Sequence, residues 1–277
     1  MSKEGEQVFQ KRSLEGFKLS PNKAADLLEQ KLGIKFTEKP AVVKLDGRNK
    51  LAMIRKGGIA FALASFLKKQ KSAGWYDNRY NAYFTQDNDL FVGLHENMHG
   101  FAAILNPEIP LQQDLIARAV SNRATGQSFE NVDIEKMISI RVFDEGLAHW
   151  ASLSVARSLP EEYDEEDLNE VENLLLNGER KQSKVSVNIK YMHKEFENLV
   201  NGKQAYEQAL QMKGAKVMLT AVNAENEMSG ALNSVGYFYV YRKIEQLLGN
   251  GHSVGAAITE LVQHPPTSLK ELIDTIS

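Results

Sequence analysis

The sequence predicts an α+β protein, predominantly α-helical, in which a small mixed N-terminal lobe precedes an all-α C-terminal lobe. Three observations lead there. Alternating stretches rich in aromatic or β-branched residues, such as "PAVVKLD" and "YDNRYNAYFTQ", crowd into the first 90 residues. Beyond them, apolar residues recur at three-to-four spacing in segments that end at glycine or proline. Finally, 277 residues with 43% hydrophobic and 25% charged side chains suffice for one large core or for two lobes sharing a cleft.

Residues 1–13 read as a mobile polar tail without the apolar stretch of a signal peptide. The first lobe, 14–106, opens with "SPNKAADLLEQKLGIKF". A Ser-Pro start signal precedes helical spacing through Leu27, Leu28 and Leu32, and Gly33 is the stop. "PAVVKLD" is a short strand. "KLAMIRKGGIAFALASFLKKQK" reads as helical despite Gly57 and Gly58, and "YDNRYNAYFTQ" as a strand. "DNDLFVGLHENMHGFAAILNPEIP" is a helix, with Asp87, Asn88 and Asp89 as N-cap candidates. Its apolar positions are Phe91, Leu94, Met98, Ala102 and Leu105, and Asn106-Pro107 ends it.

The second lobe, 107–277, begins with a helix over "PLQQDLIARAVSN" and a loop over "RATGQSFENVD". "DIEKMISIRVFDEGLAHWASLSVARSLP" is a long helix, capped by Asp133 and stopped near Pro160. It is apolar on most of its circumference and so belongs at the centre of the protein. "PEEYDEEDLNEVEN" reads as a solvated acidic helix or loop. From Val187 onward the chain reads as helical, with breaks near Gly202, Gly214 and Gly249–Gly251.

Composition removes several function classes. Without cysteine there is no disulfide framework, thiol catalysis or Cys-ligated zinc, and the cytoplasm fits best. A net charge of −3 speaks against a nucleic-acid partner, and the basic runs at Lys68–Lys71 and Arg180–Lys184 read as solvated faces. No apolar run approaches the roughly 20 residues that span a bilayer, so no membrane partner is expected.

Chemistry concentrates in "VGLHENMHGF", residues 92–101, which carries H-E-x-x-H inside a predicted helix. Residues i and i+4 of a helix share a face, so His95 and His99 can aim ring nitrogens at one metal ion. Glu96 leans to one side, where it could hold a water and take its proton. A third ligand must come from elsewhere. A third histidine six residues beyond the second is absent, because position 105 is Leu105. Among the downstream acids Glu145 stands out, since an unpaired carboxylate on a mostly apolar helix is costly and a metal would stabilise it. The competing reading is an acidic helix edge that meets solvent or Arg141. Asp144 and His149 share this apolar stretch.

"HENMH", followed 46 residues later by the glutamate of "DEGLAHW", resembles the gluzincin metallopeptidases; the second segment is similar to their E-G-x-A-x-[aromatic] signature. The resemblance implies one Zn2+ ion held by His95, His99 and Glu145, with Glu96 as general base and later proton donor. It implies hydrolysis of a peptide or protein substrate. Two positions depart from the pattern. Asp144 stands where many relatives have asparagine. His149 stands where some have an aspartate that orients a ligating histidine; it could orient Glu145, touch substrate, pack in the core, or displace Glu145 as ligand. Peptide cleavage also needs a group for the developing oxyanion. In "ALNSVGYFYVYRKIEQL", Tyr237 and Tyr241 share a face while Tyr239 points elsewhere. The Y-x-x-G of many gluzincins has Asn233 in place of its tyrosine before Gly236. Tyr237 is the expected oxyanion partner, with His193, His252 and His264 as further electrophiles. Alternatives are a zinc hydrolase of a non-peptide amide, a non-catalytic binding protein that keeps the zincin fold, or a metal-free helical protein.

Overall fold

The computed structural model describes residues 12–46, 49, 74–85, 89–128, 132–180 and 184–276. The expected helix over residues 50–71 and most of the expected N-terminal tail lie outside them. A small mixed α/β N-terminal region leads into a long, mostly helical remainder, the two-lobe arrangement of a zincin-like fold.

Among the described residues, four short strands form one sheet: β1 (Leu19–Ser20), β2 (Ala41–Lys44), β3 (Gly74–Asp77) and β4 (Ala82–Thr85). The order is β1-β2-β4-β3, with β2 and β4 parallel and the other pairs antiparallel. The stretch expected as one strand from Tyr76 is therefore a hairpin. Asn81 adopts φ 45°, in the left-handed region that asparagine tolerates in turns, and folds the aromatic run back on itself. One face of the sheet carries its own apolar cluster of Val43, Tyr80, Ala82 and Phe84. Trp75 stacks on Phe84 with centroids 5.3 Å apart.

Helix α1 (Lys23–Leu32) is capped by Asn22, one residue beyond the expected Ser-Pro signal. Helix α2 (Leu90–Leu105) is capped by Asp89, whose carboxylate accepts from Phe91 N–H and Val92 N–H, and it ends at Asn106 as the sequence predicts. The side chain of Asn22 also donates to Asn97 Oδ1 (2.5 Å) and to Pro40 O (2.7 Å). The start of α1, the middle of α2 and the entry to β2 are thus tied at one point.

Helix α3 (Glu108–Thr125) is followed by α4 (Ile134–Arg157), which Asp133 caps. Buried residues surround α4 on nearly every side, as its near-continuous apolar pattern requires. The acidic stretch becomes α5 (Glu165–Asn177), and the rest is α6 (Ile189–Gln211), α7 (Ala215–Gly249), α8 (Val254–Gln263) and α9 (Leu269–Ile273). The expected breaks occur at Gly214 and around Gly249–Gly251, but α6 runs straight through Gly202. That glycine is a packing site: Met228 of α7 fills the place where its side chain would be.

Helices α4 and α7 cross at Gly146 and Gly236. A Cβ on Gly236 would overlap the carbonyl oxygen of Val142 and stand 3.0 Å from Gly146 N. Here the two backbones touch without intervening side chains. One apolar cluster runs from Ala24 through Leu94, Met98, Phe143, Leu147 and Val240 to Ile276, and so joins α2 and α4 to the same core. No helix among the described residues is long and apolar enough to cross a membrane.

Candidate metal centre

Helix α2 presents His95 and His99 from consecutive turns, and α4 presents Glu145 opposite them. The two Nε2 atoms lie 3.1 Å apart. Glu145 Oε2 is 3.5 Å from His95 Nε2 and 3.8 Å from His99 Nε2. A triangle with those three edges has a point about 2.0 Å from every corner, the bond length zinc makes to imidazole nitrogen and carboxylate oxygen. Among the described residues, these three side chains are the group whose donor atoms converge closely enough to hold a metal ion. Two imidazoles and one carboxylate suit Zn2+.

A carboxylate holds one ring in place. Asp144 Oδ2 is 2.9 Å from His99 Nδ1. A carboxylate only accepts, so Nδ1 carries a proton, and Nε2 is the nitrogen left to bind a metal ion. The role expected of an aspartate one turn beyond the glutamate is taken here by the residue just before it. Asp144→Asn is expected to weaken zinc binding by about 10- to 100-fold. Competition against a chromophoric chelator measures this, and an unchanged affinity would leave Asp144 without that role.

The charges in the site are strongly coupled. Burial disfavours a charged His99, but Asp144, Glu145 and Glu96 outweigh it and push its pKa up to about 10. Burial would also raise Glu145, yet His99, His95 and His149 hold its carboxyl well below the usual carboxylate range. The Glu145 side chain is 34% exposed, so the triangle is open on one side. Arg141 feels Glu145 only through space. Its guanidinium is spent on Glu225, at 2.6 and 2.9 Å.

His149 packs edge-on against His95, with ring centroids 4.6 Å apart. Its donor atoms fall outside the convergent set, which contains Glu145 instead. Burial first, and then the neighbouring His95, push its pKa down to about 3, so the ring is neutral. Its Nδ1 is buried and makes no hydrogen bond among the described residues.

Glu96 lies beside the triangle, and its Oε2 accepts from the main-chain N–H of Tyr76 in β3 at 2.7 Å. Tyr237 follows Gly236, which packs on the backbone of Gly146 beside Glu145. It is 2% exposed, and its hydroxyl donates to Glu172 of α5, which also pairs with Arg157. Tyr237 and Tyr241 do share a face, with rings stacked 6.4 Å apart. His193, His252 and His264 are exposed.

Fold and site together define a zinc-dependent hydrolase. The convergent His95, His99 and Glu145 match the pattern of H-E-x-x-H plus a downstream glutamate that is typical of gluzincin metallopeptidases. No protein-family description, curated protein or solved structure matches the chain.

Proposed function

We propose that the chain is a peptidase that cleaves peptide bonds in peptide or protein substrates. The observation that carries the reading is the placement of Glu96 between the metal-binding triangle and a strand with an open side. Among the described residues β3 has a neighbour on one side only. The Tyr76 N–H leaves the sheet towards Glu96, so the edge of β3 that no described strand covers faces the helix that carries the site. An extended peptide is the substrate shape that such a strand accepts.

When bound, zinc supplies Lewis-acid polarisation of the substrate carbonyl and activation of a water. Glu96 Oε1 takes a proton from the attacking water and later delivers it to the leaving amine nitrogen. His95, His99 and Glu145 hold the ion, and Asp144 holds His99. Tyr237 would steady the developing oxyanion only by giving up Glu172. With 14–106 and 107–277 as the two lobes, and 1–13 as a tail, one lobe supplies both histidines and the other the glutamate. The absence of cysteine supports a cytoplasmic location.

Elemental analysis and a substrate panel test the reading. One zinc per chain is expected, together with cleavage of unmodified peptides that a chelator stops and added zinc restores. Cleavage confined to non-peptide amides, or zinc without any turnover, overturns it.

A further inference from the structure

Tyr76 lies in the outermost described strand, and three separate contacts fix it over α2. Its ring sits on Gly100, where a Cβ would stand 2.5 Å from Pro40 Cγ and 3.1 Å from Tyr76 Cε2. Only a residue without a side chain admits both neighbours. Its hydroxyl donates to Asn81 Oδ1 at 3.1 Å, in the turn that returns to β4. Its N–H donates to Glu96 Oε2. Asn22 fixes the opposite edge of the same seat, because it joins Asn97 of α2 to the carbonyl of Pro40.

Glu96 has three rotatable side-chain bonds and no role as a metal ligand, so the ion itself does not orient it. Its Oε1 makes no hydrogen bond among the described residues. We propose that the main-chain N–H of Tyr76 is the positioning group for Glu96: it clamps one carboxylate oxygen and so presents the other to the attacking water. Gly100 is the seat that lets the strand come close enough. The clamp uses a backbone donor on a paired strand, which moves less than a side chain would, and a charged acceptor makes the bond a strong one. The inference rests on the peptidase reading.

The test removes the donor. Tyr76→Pro deletes the N–H on a strand whose N–H at this position points away from its neighbour, where proline is tolerated. The variant is expected to bind one zinc and keep the KM of the wild type, while kcat falls about 100-fold, the scale of a misplaced reacting group. Tyr76→Ala keeps the N–H but loses the ring and hydroxyl, and is expected to lose less of kcat than Tyr76→Pro. If the proline variant does not fold, the α-hydroxy analogue of tyrosine at position 76, with ester oxygen in place of N–H, carries the same expectation. A second readout needs no turnover: in the zinc-loaded 15N-labelled protein the Tyr76 amide proton should lie downfield and move upfield in Glu96→Gln.

Wild-type kcat in the chain lacking the donor, an equal loss in Tyr76→Ala, or an amide indifferent to Glu96→Gln overturns the proposal. A zinc-loaded wild type that cleaves no peptide overturns the peptidase reading instead, and the amide shift then decides on the clamp by itself.

Discussion

Glu96→Gln is expected to retain one zinc per chain and to turn over peptide about 10²- to 10⁴-fold more slowly. The two side chains have the same shape. Glu96 is not among the converging donors, so the triangle of His95, His99 and Glu145 is untouched. The amide oxygen of glutamine can still accept from Tyr76 N–H, so the side chain keeps its place. What is lost is the capacity to take a proton from water and hand it to the leaving nitrogen. Elemental analysis beside single-turnover kinetics measures both halves. A rate like that of the wild type, with zinc in place, would remove Glu96 from the mechanism.

Gly236→Ala is expected to destabilise the protein by about 3 kcal/mol or more and to impair metal retention with it. In an ordinary helix interior, glycine to alanine is favourable by about 1 kcal/mol. Here the new methyl would overlap the Val142 carbonyl oxygen, a backbone atom in mid-helix that cannot rotate away. Helices α4 and α7 must separate, and Glu145 stands beside the crossing. Gly230 of the same α7 is the control. A Cβ there meets only Glu195 Oε2 at 3.4 Å, so Gly230→Ala is expected to be neutral or slightly stabilising. Urea unfolding of both variants separates the two effects. Equal midpoints would show that the helices do not touch at Gly236.

What the sequence disclosed follows from how local each signal is. The pairing of His95 with His99 is a property of one helix, so spacing alone revealed it. Glu145 could be singled out because an unexplained carboxylate in an apolar helix demands a partner. The bond from Asp144 to His99 depends on the rotation of α4 against α2, which no spacing encodes. The grip of Tyr76 on Glu96 uses a main-chain donor, and a backbone N–H has no residue type by which to recognise it. The shared face of Tyr237 and Tyr241 was legible from their spacing. The buried Glu172 that takes the Tyr237 hydroxyl was not, because it lies in a stretch whose acidity suggested a solvated surface. The β3–β4 hairpin was hidden for another reason: alternation continues through the turn, and only the backbone of Asn81 shows where the chain reverses.

The elevated basicity of His99 has a consequence for how the protein acquires its ion. Until a metal arrives, a hydrogen ion occupies its role, lodged on His99 among the surrounding carboxylates. It contributes to the stability of the metal-free fold fully below the ordinary histidine value of 6.5, and that contribution fades as the pH climbs towards about 10. Loading is then an exchange of one cation for another, and acidity competes directly with zinc for the same seat.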